Sequence, residues 1–214
     1  MLNKLKNKVK TNKKFWMLRH LVDKDIWSNY YGSYSTDRRF FYSKYVNKNN
    51  YETVFEFGCA SGPNLKNIEL YSLQKTYFLG YDINAAAIKF AQKKFETETS
   101  VFSTKISNSL FEASLNCWKK NSFDLAIYDR VLYLLSEGEV FNHFSRFHKF
   151  FTTVIIDDFH KSQYVDSNEA YSSKNYENIL SHFGLKLVVE EKTEHIIVDE
   201  FFERSAKRLI FQKV

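Results

Sequence analysis

The sequence predicts an α/β fold: a three-layer αβα sandwich around a mostly parallel seven-stranded sheet with an antiparallel last strand, preceded by an N-terminal helical extension. Three observations predict it. Five short apolar runs alternate with helical patterns after about residue 50, and parallel strands need such crossovers between them. Two further β-rich runs close the chain with no helical pattern between them. A glycine-bearing turn follows the first run and opens the first helix, which is where parallel sheets receive ligands, at the carboxyl ends of their strands.

The five strands are expected at 53–57, 76–81, 101–106, 123–128 and 152–156, since short apolar runs suit strands buried on both faces. Helical patterns follow at 63–70, 84–95, 110–118 and 137–150. Gly62-Pro63 fits the first helix start, because proline at the first helical position has no amide hydrogen to leave unpaired. Asn84 is an acceptor-bearing cap ahead of three alanines, and Ser136 with Glu139 has the spacing of a reciprocal capping box. After a helix over 168–183, runs at 185–190 and 208–214 read as two final strands that pair antiparallel at the sheet edge. Upstream, 25–46 is dense in rings, among them Trp27, Tyr30, Tyr31, Tyr34 and Tyr42, and reads as one or two helices over the ligand end.

The net charge of +6 is unevenly placed. Lys4, Lys6, Lys8, Lys10, Lys13 and Lys14 lie in an acid-free N-terminus, and removing these six from 31 basic residues leaves 25 against 25 acids. The body is neutral, so the lysines read as a solvated arm and nucleic acid is not an expected partner. Arg19 and His20 cut short the apolar stretch 15–18, and no run is long enough for a membrane span. Cys59 and Cys117 have no metal-ligand spacing and read as reduced thiols. The expectation is a cytoplasmic monomer or homodimer with a basic arm over 1–14, a helical cap over 15–50 and one domain over 51–214.

Residues 53–64, Thr-Val-Phe-Glu-Phe-Gly-Cys-Ala-Ser-Gly-Pro-Asn, carry the chemistry. Here the chain resembles the class I S-adenosylmethionine-dependent methyltransferases, whose first motif reads acid-x-Gly-x-Gly-x-Gly. Glu56, Gly58 and Gly62 match, while Ala60 stands where the middle glycine usually lies. Asp82, 20 residues past Gly62, ends the second strand, where a carboxylate can accept both ribose hydroxyls of an adenosine ligand. Asn108 follows the third strand, where the resemblance implies a partner for the adenine amino group, and 121–135 resembles the family's fourth-strand motif. The resemblance implies a Rossmann-like domain that binds S-adenosylmethionine and releases S-adenosylhomocysteine. Its cofactor set would be Glu56, Gly58, Cys59, Ala60, Gly62, Asp82, Ile83, Asn108 and Asp129, to which the aromatic segment adds Tyr31 or Tyr30 near the methionine end and Arg38 as a partner for the cofactor carboxylate. A nicotinamide fold would require Gly-x-Gly-x-x-Gly and a second mononucleotide half, neither of which is visible.

Methyl transfer from a sulfonium needs alignment and a dry site, and a base only where the acceptor keeps its proton. His160, after the fifth strand, is the expected base because histidine titrates near neutrality, with Asp129 beside it and His20 and Tyr133 as weaker candidates. The expected acceptor is a small molecule, oxygen favoured over nitrogen. Asp129, Asp157 and Asp158 also resemble the magnesium set of catechol-type and sugar methyltransferases, so a metal-dependent O-methyltransferase is an alternative to the metal-free reading. An RNA methyltransferase using the lysine arm and a non-catalytic accessory protein are further alternatives.

Overall fold

The computed structural model describes residues 13–95, 100–103, 122–159, 174–193 and 206–214. Two short helices, α1 (Lys13–Met17) and α2 (Arg19–Val22), lead into α3 (Ile26–Gly32) and α4 (Asp37–Asn49), with a 3-10 turn at Ser33–Ser35. β1 (Thr53–Phe57), α5 (Pro63–Tyr71), β2 (Tyr77–Tyr81), α6 (Ala85–Lys94) and β3 (Ser100–Ser103) follow. Then come β4 (Phe123–Asp129), α7 (Glu137–Phe147), β5 (Phe151–Phe159), α8 (Tyr176–Ser181), β6 (Leu185–Lys192) and β7 (Ala206–Lys213).

The strands form one sheet in the order β3-β2-β1-β4-β5-β7-β6. The first five are parallel, and β7 runs antiparallel to both β5 and β6. Chain order reverses between β1 and β4, the switch point where strand-end loops splay apart and leave a crevice. Alternate side chains go to opposite faces. Phe55, Tyr128, Val154 and Ile156 join α7 and α8 in one buried cluster, whereas Val54, Ile127, Ile155 and Ile210 join α4, α5 and α6 in another.

The start signals behave as expected. Gly62 caps α5 with Pro63 in its first turn, the Asn84 side chain accepts from Ala86 and Ala87 amides, and Ser136 and Glu139 form the reciprocal box. Several boundaries shift by one to three residues, and three differences stand out. The helix expected over 168–183 is described only as α8, capped by the Asn175 side chain, so it begins at Tyr176. β5 continues to Phe159, three residues beyond the apolar run, because β7 supplies partners as far as Ala206. The last strand inserts between β5 and β6, leaving β6 as the edge. The helix expected at 110–118, the end of the third strand at 104–106 and the arm at 1–12 lie outside the described residues.

Candidate functional site

The loop after β1 turns through three left-handed residues, Gly58 at φ 77°, Ala60 at φ 49° and Gly62 at φ 81°. Gly58 is required twice over, since a Cβ there would also lie 2.5 Å from Val131 Cγ2 in the turn after β4. Alanine at Ala60 costs about 1 kcal/mol in this conformation. Its amide is rewarded by a 2.9 Å bond to Asp82 Oδ2, while Asn84 N donates to Oδ1 at 2.8 Å. Gly58 and Cys59 amides both donate to Tyr81 O, at 2.7 and 2.9 Å, so the loop is tied to the end of β2. The Cys59 side chain packs in the core, and burial pushes its thiol well up, so this residue serves the loop through its backbone. Burial likewise raises the Asp82 carboxyl against the stabilising amides of Asn84 and Ala60. Beside it Ile83 is 40% exposed, an apolar side chain left open at the strand end.

Glu56 and Asp129 end their strands on the same face and are joined by Asn64, from the first turn of α5. Asn64 Nδ2 donates to Glu56 Oε1 at 2.7 Å and to Asp129 Oδ2 at 2.9 Å, and Asn64 Oδ1 accepts from Arg39 Nη1. Arg39 is held in turn by Ser33, through O and Oγ, both at 3.0 Å. Arg38 Nη1 donates to Asp129 Oδ1 at 2.7 Å, and the Arg38 side chain remains 24% exposed. Glu56 is 2% exposed, and its Oε2 has no hydrogen-bond partner among the described residues. Burial, then the nearby Asp129 charge, pushes the Glu56 carboxyl up to about 8. Tyr30, its hydroxyl pushed up by burial, feels the charges of Arg39, Arg38 and Asp129.

The N-terminal segment closes over this end of the sheet. Ser61 Oγ donates to Trp27 O at 2.8 Å, and Trp27 packs with Ala87, Ala60 and Ala86. Asn84 Nδ2 donates to Trp16 O at 2.7 Å and Met17 O at 2.9 Å, with His20 Nδ1 at 3.5 Å. Tyr31 is not brought to the carboxylates: its ring sits among Tyr34, Phe90 and Phe95, while Tyr30 takes the inward position. His160 and Asn108 lie outside the described residues. Sequence reasoning missed Asn64, Arg39 and Ser61, which carry no motif beyond their adjacency to the glycine turn and the aromatic segment.

The proposed magnesium set does not converge. Asp157 and Asp158 are consecutive in β5 and point to opposite faces. Asp157 accepts from Arg130 Nε at 3.1 Å and Arg208 Nη2 at 3.0 Å, with Thr193 Oγ1 at 3.4 Å, whereas Asp158 Oδ2 accepts the Tyr133 amide at 3.0 Å. Asp129 is occupied by Arg38 and Asn64. Among the described residues no three His, Cys, Asp or Glu side chains form a group that could hold a metal ion. The arginines do the work a cation would have done. Both Asp129 oxygens are engaged, Oδ1 by Arg38 and Oδ2 by Asn64.

The methyltransferase-domain family matches residues 48–204, about three-quarters of the chain. The chain belongs to that family. The class I S-adenosylmethionine-dependent kinship implied by Glu56, Gly58, Gly62 and Asp82 is thereby borne out. Among solved structures it is similar to the magnesium protoporphyrin IX methyltransferase of Synechocystis with bound S-adenosylhomocysteine, at 15% identity over 80% of each chain and a TM-score of 0.59. It is also similar to a plantazolicin methyltransferase in complex with S-adenosylhomocysteine, at 12% identity over 99% of this chain and 98% of that one, with a TM-score of 0.61. A third is an O-methyltransferase family protein from Burkholderia thailandensis, at 12% identity over 81% of this chain and 54% of that one, with a TM-score of 0.60. At these identities the likeness is one of fold. No curated protein sequence matches the chain. Among the described residues no helix is long and apolar enough to cross a membrane.

Proposed function

We propose that this methyltransferase binds S-adenosylmethionine across the β1 and β2 strand ends and transfers its methyl group to a small-molecule acceptor, with oxygen the favoured atom. The observation that carries the reading is the pairing of a buried carboxyl oxygen with no partner among the described residues, Glu56 Oε2, with a partly exposed guanidinium anchored on Asp129, Arg38. That pair matches the ammonium and carboxylate of an α-amino acid, which dinucleotides lack. Asp82 adds a carboxylate for the ribose hydroxyls, with each oxygen already oriented by a backbone amide. The exposed Ile83 offers an apolar surface for the base.

The donor supplies an electrophilic methyl on a sulfonium sulfur. The chain's own contribution is alignment and exclusion of water: Trp27, Tyr30 and the α1–α2 segment lie over the loop, and the fixed Asn64 and Arg39 keep Glu56 and Asp129 from rearranging. Oxygen is favoured because His160 follows β5 directly in sequence and histidine can take a hydroxyl proton near neutrality. The solved structures of similar fold include the O-methyltransferase family protein from Burkholderia thailandensis, which supports the same direction. Calorimetric titration with S-adenosylhomocysteine, comparing wild type with Asp82→Ala, tests the reading. Saturable binding weakened about 100-fold in the variant is expected, from the loss of two charge-assisted hydrogen bonds. A folded wild type that binds nothing would overturn it.

A further inference from the structure

We infer that Asn64 is a positioning residue for methyl-donor binding: its side-chain amide sets Glu56 and Asp129 in place around the amino-acid end of the donor, and Arg39 acts through it. The inference rests on the proposed function and deepens it.

A primary amide has two N–H donors and one carbonyl acceptor. In Asn64 each has a charged or ionisable partner: Glu56 Oε1, Asp129 Oδ2 and Arg39 Nη1. The orientation is therefore unambiguous, because a flipped amide would present NH₂ to a guanidinium and an oxygen to two carboxyl groups. With both donors of one nitrogen engaged, the two carboxyl oxygens are held a fixed short distance apart. That leaves Glu56 Oε2 unpartnered and buried, and leaves Asp129 Oδ1 for Arg38.

Two carboxyl groups on neighbouring strand ends repel when both are ionised, and only a neutral group with two donors can bridge them without adding a charge to a desolvated site. Arg39 supplies the compensating charge from the far side of the amide, at 3.7 Å from Asp129 Oδ2. Aspartate at 64 would replace two donors by acceptors. The location also follows from the fold: Asn64 stands in the first turn of α5 immediately after the glycine turn, so the same loop that approaches the donor also aligns the carboxyls.

The test measures S-adenosylhomocysteine and 5′-methylthioadenosine, which lacks the amino-acid end, by calorimetry on wild type, Asn64→Ala and the milder Asn64→Ser. The expected result is a 10- to 100-fold loss of S-adenosylhomocysteine affinity in Asn64→Ala, about the worth of one to two hydrogen bonds to charged groups. A smaller loss in Asn64→Ser and less than about twofold change for 5′-methylthioadenosine in both variants complete the expectation. Equal weakening of both ligands would assign Asn64 a purely structural part in the loop and overturn the inference. So would a wild type that binds the two ligands equally, although the donor assignment would then stand. Failure of wild type to bind either ligand would instead remove the proposed function itself.

Discussion

The proposed donor binding at Glu56 should release a proton. Burial and the neighbouring Asp129 charge push its carboxyl up to about 8, so most ligand-free molecules carry its proton at pH 7. An ammonium arriving at Oε2 favours the ionised form, because an opposite charge within hydrogen-bond reach offsets the desolvation that had raised the value. Binding of S-adenosylhomocysteine at pH 7 should therefore release a proton, approaching about one per site. The assay is calorimetry in buffers of different ionisation enthalpy, where the slope of observed heat against buffer heat counts protons. Glu56→Gln keeps the shape and the contact to Asn64 but cannot ionise. It should release none and lose about 10- to 100-fold in affinity, the worth of a hydrogen bond to a charged group. A slope of zero for wild type between pH 6.5 and 8, with unchanged affinity in Glu56→Gln, would refute the reasoning.

The same carboxyl governs stability in the absence of ligand. Its folded-state value lies above the ordinary 4.5, so its contribution is complete below that pH and is lost as pH rises to about 8, by at most about 1.4 kcal/mol per pH unit. Burial holds His143 down at about 3 and Lys174 down at about 8, so these two change stability below pH 6.5 and above pH 8 respectively, in the sense of rising with pH. Urea melts between pH 6.5 and 8 should therefore show wild type losing stability with pH and Glu56→Gln nearly flat; parallel slopes would contradict the assignment. Gly58→Ala should cost about 2–4 kcal/mol, from overpacking against Val131 and an unfavourable φ, read as a fall in melting temperature. Partial recovery is expected in Gly58→Ala with Val131→Ala, where the steric part is relieved and the φ cost remains.

Much of the fold and part of the site were legible in the sequence. Strand and helix periodicities are local, and caps such as Asn84 and Ser136 act within three residues of themselves, so their positions follow from short windows. Asp82 was legible for the same reason: it ends a strand at a fixed interval after a glycine turn. Ala60 stands in the place of the motif's middle glycine, and it occupies the left-handed region with its amide on Asp82. The parity of Asp157 and Asp158 was also present in the sequence, since consecutive strand residues cannot face one ligand, yet the reading depended on β5 reaching Phe159, which its pairing with β7 decides.

What only the tertiary structure decided is which polar groups meet after desolvation. Asn64 joins partners 8 and 65 residues away, and Arg38 reaches Asp129 across 91 residues. No periodicity encodes such pairs, because their energy exists only once burial has removed water from each group and left it one available partner. By itself the sequence determined a parallel sheet with a glycine turn and an acid at the second strand end. Packing α4 and α5 against that sheet buried the Glu56 carboxyl, pushing it up, and gave Asp129 its arginine partners, because side chains of those two helices close the face the two carboxyls share.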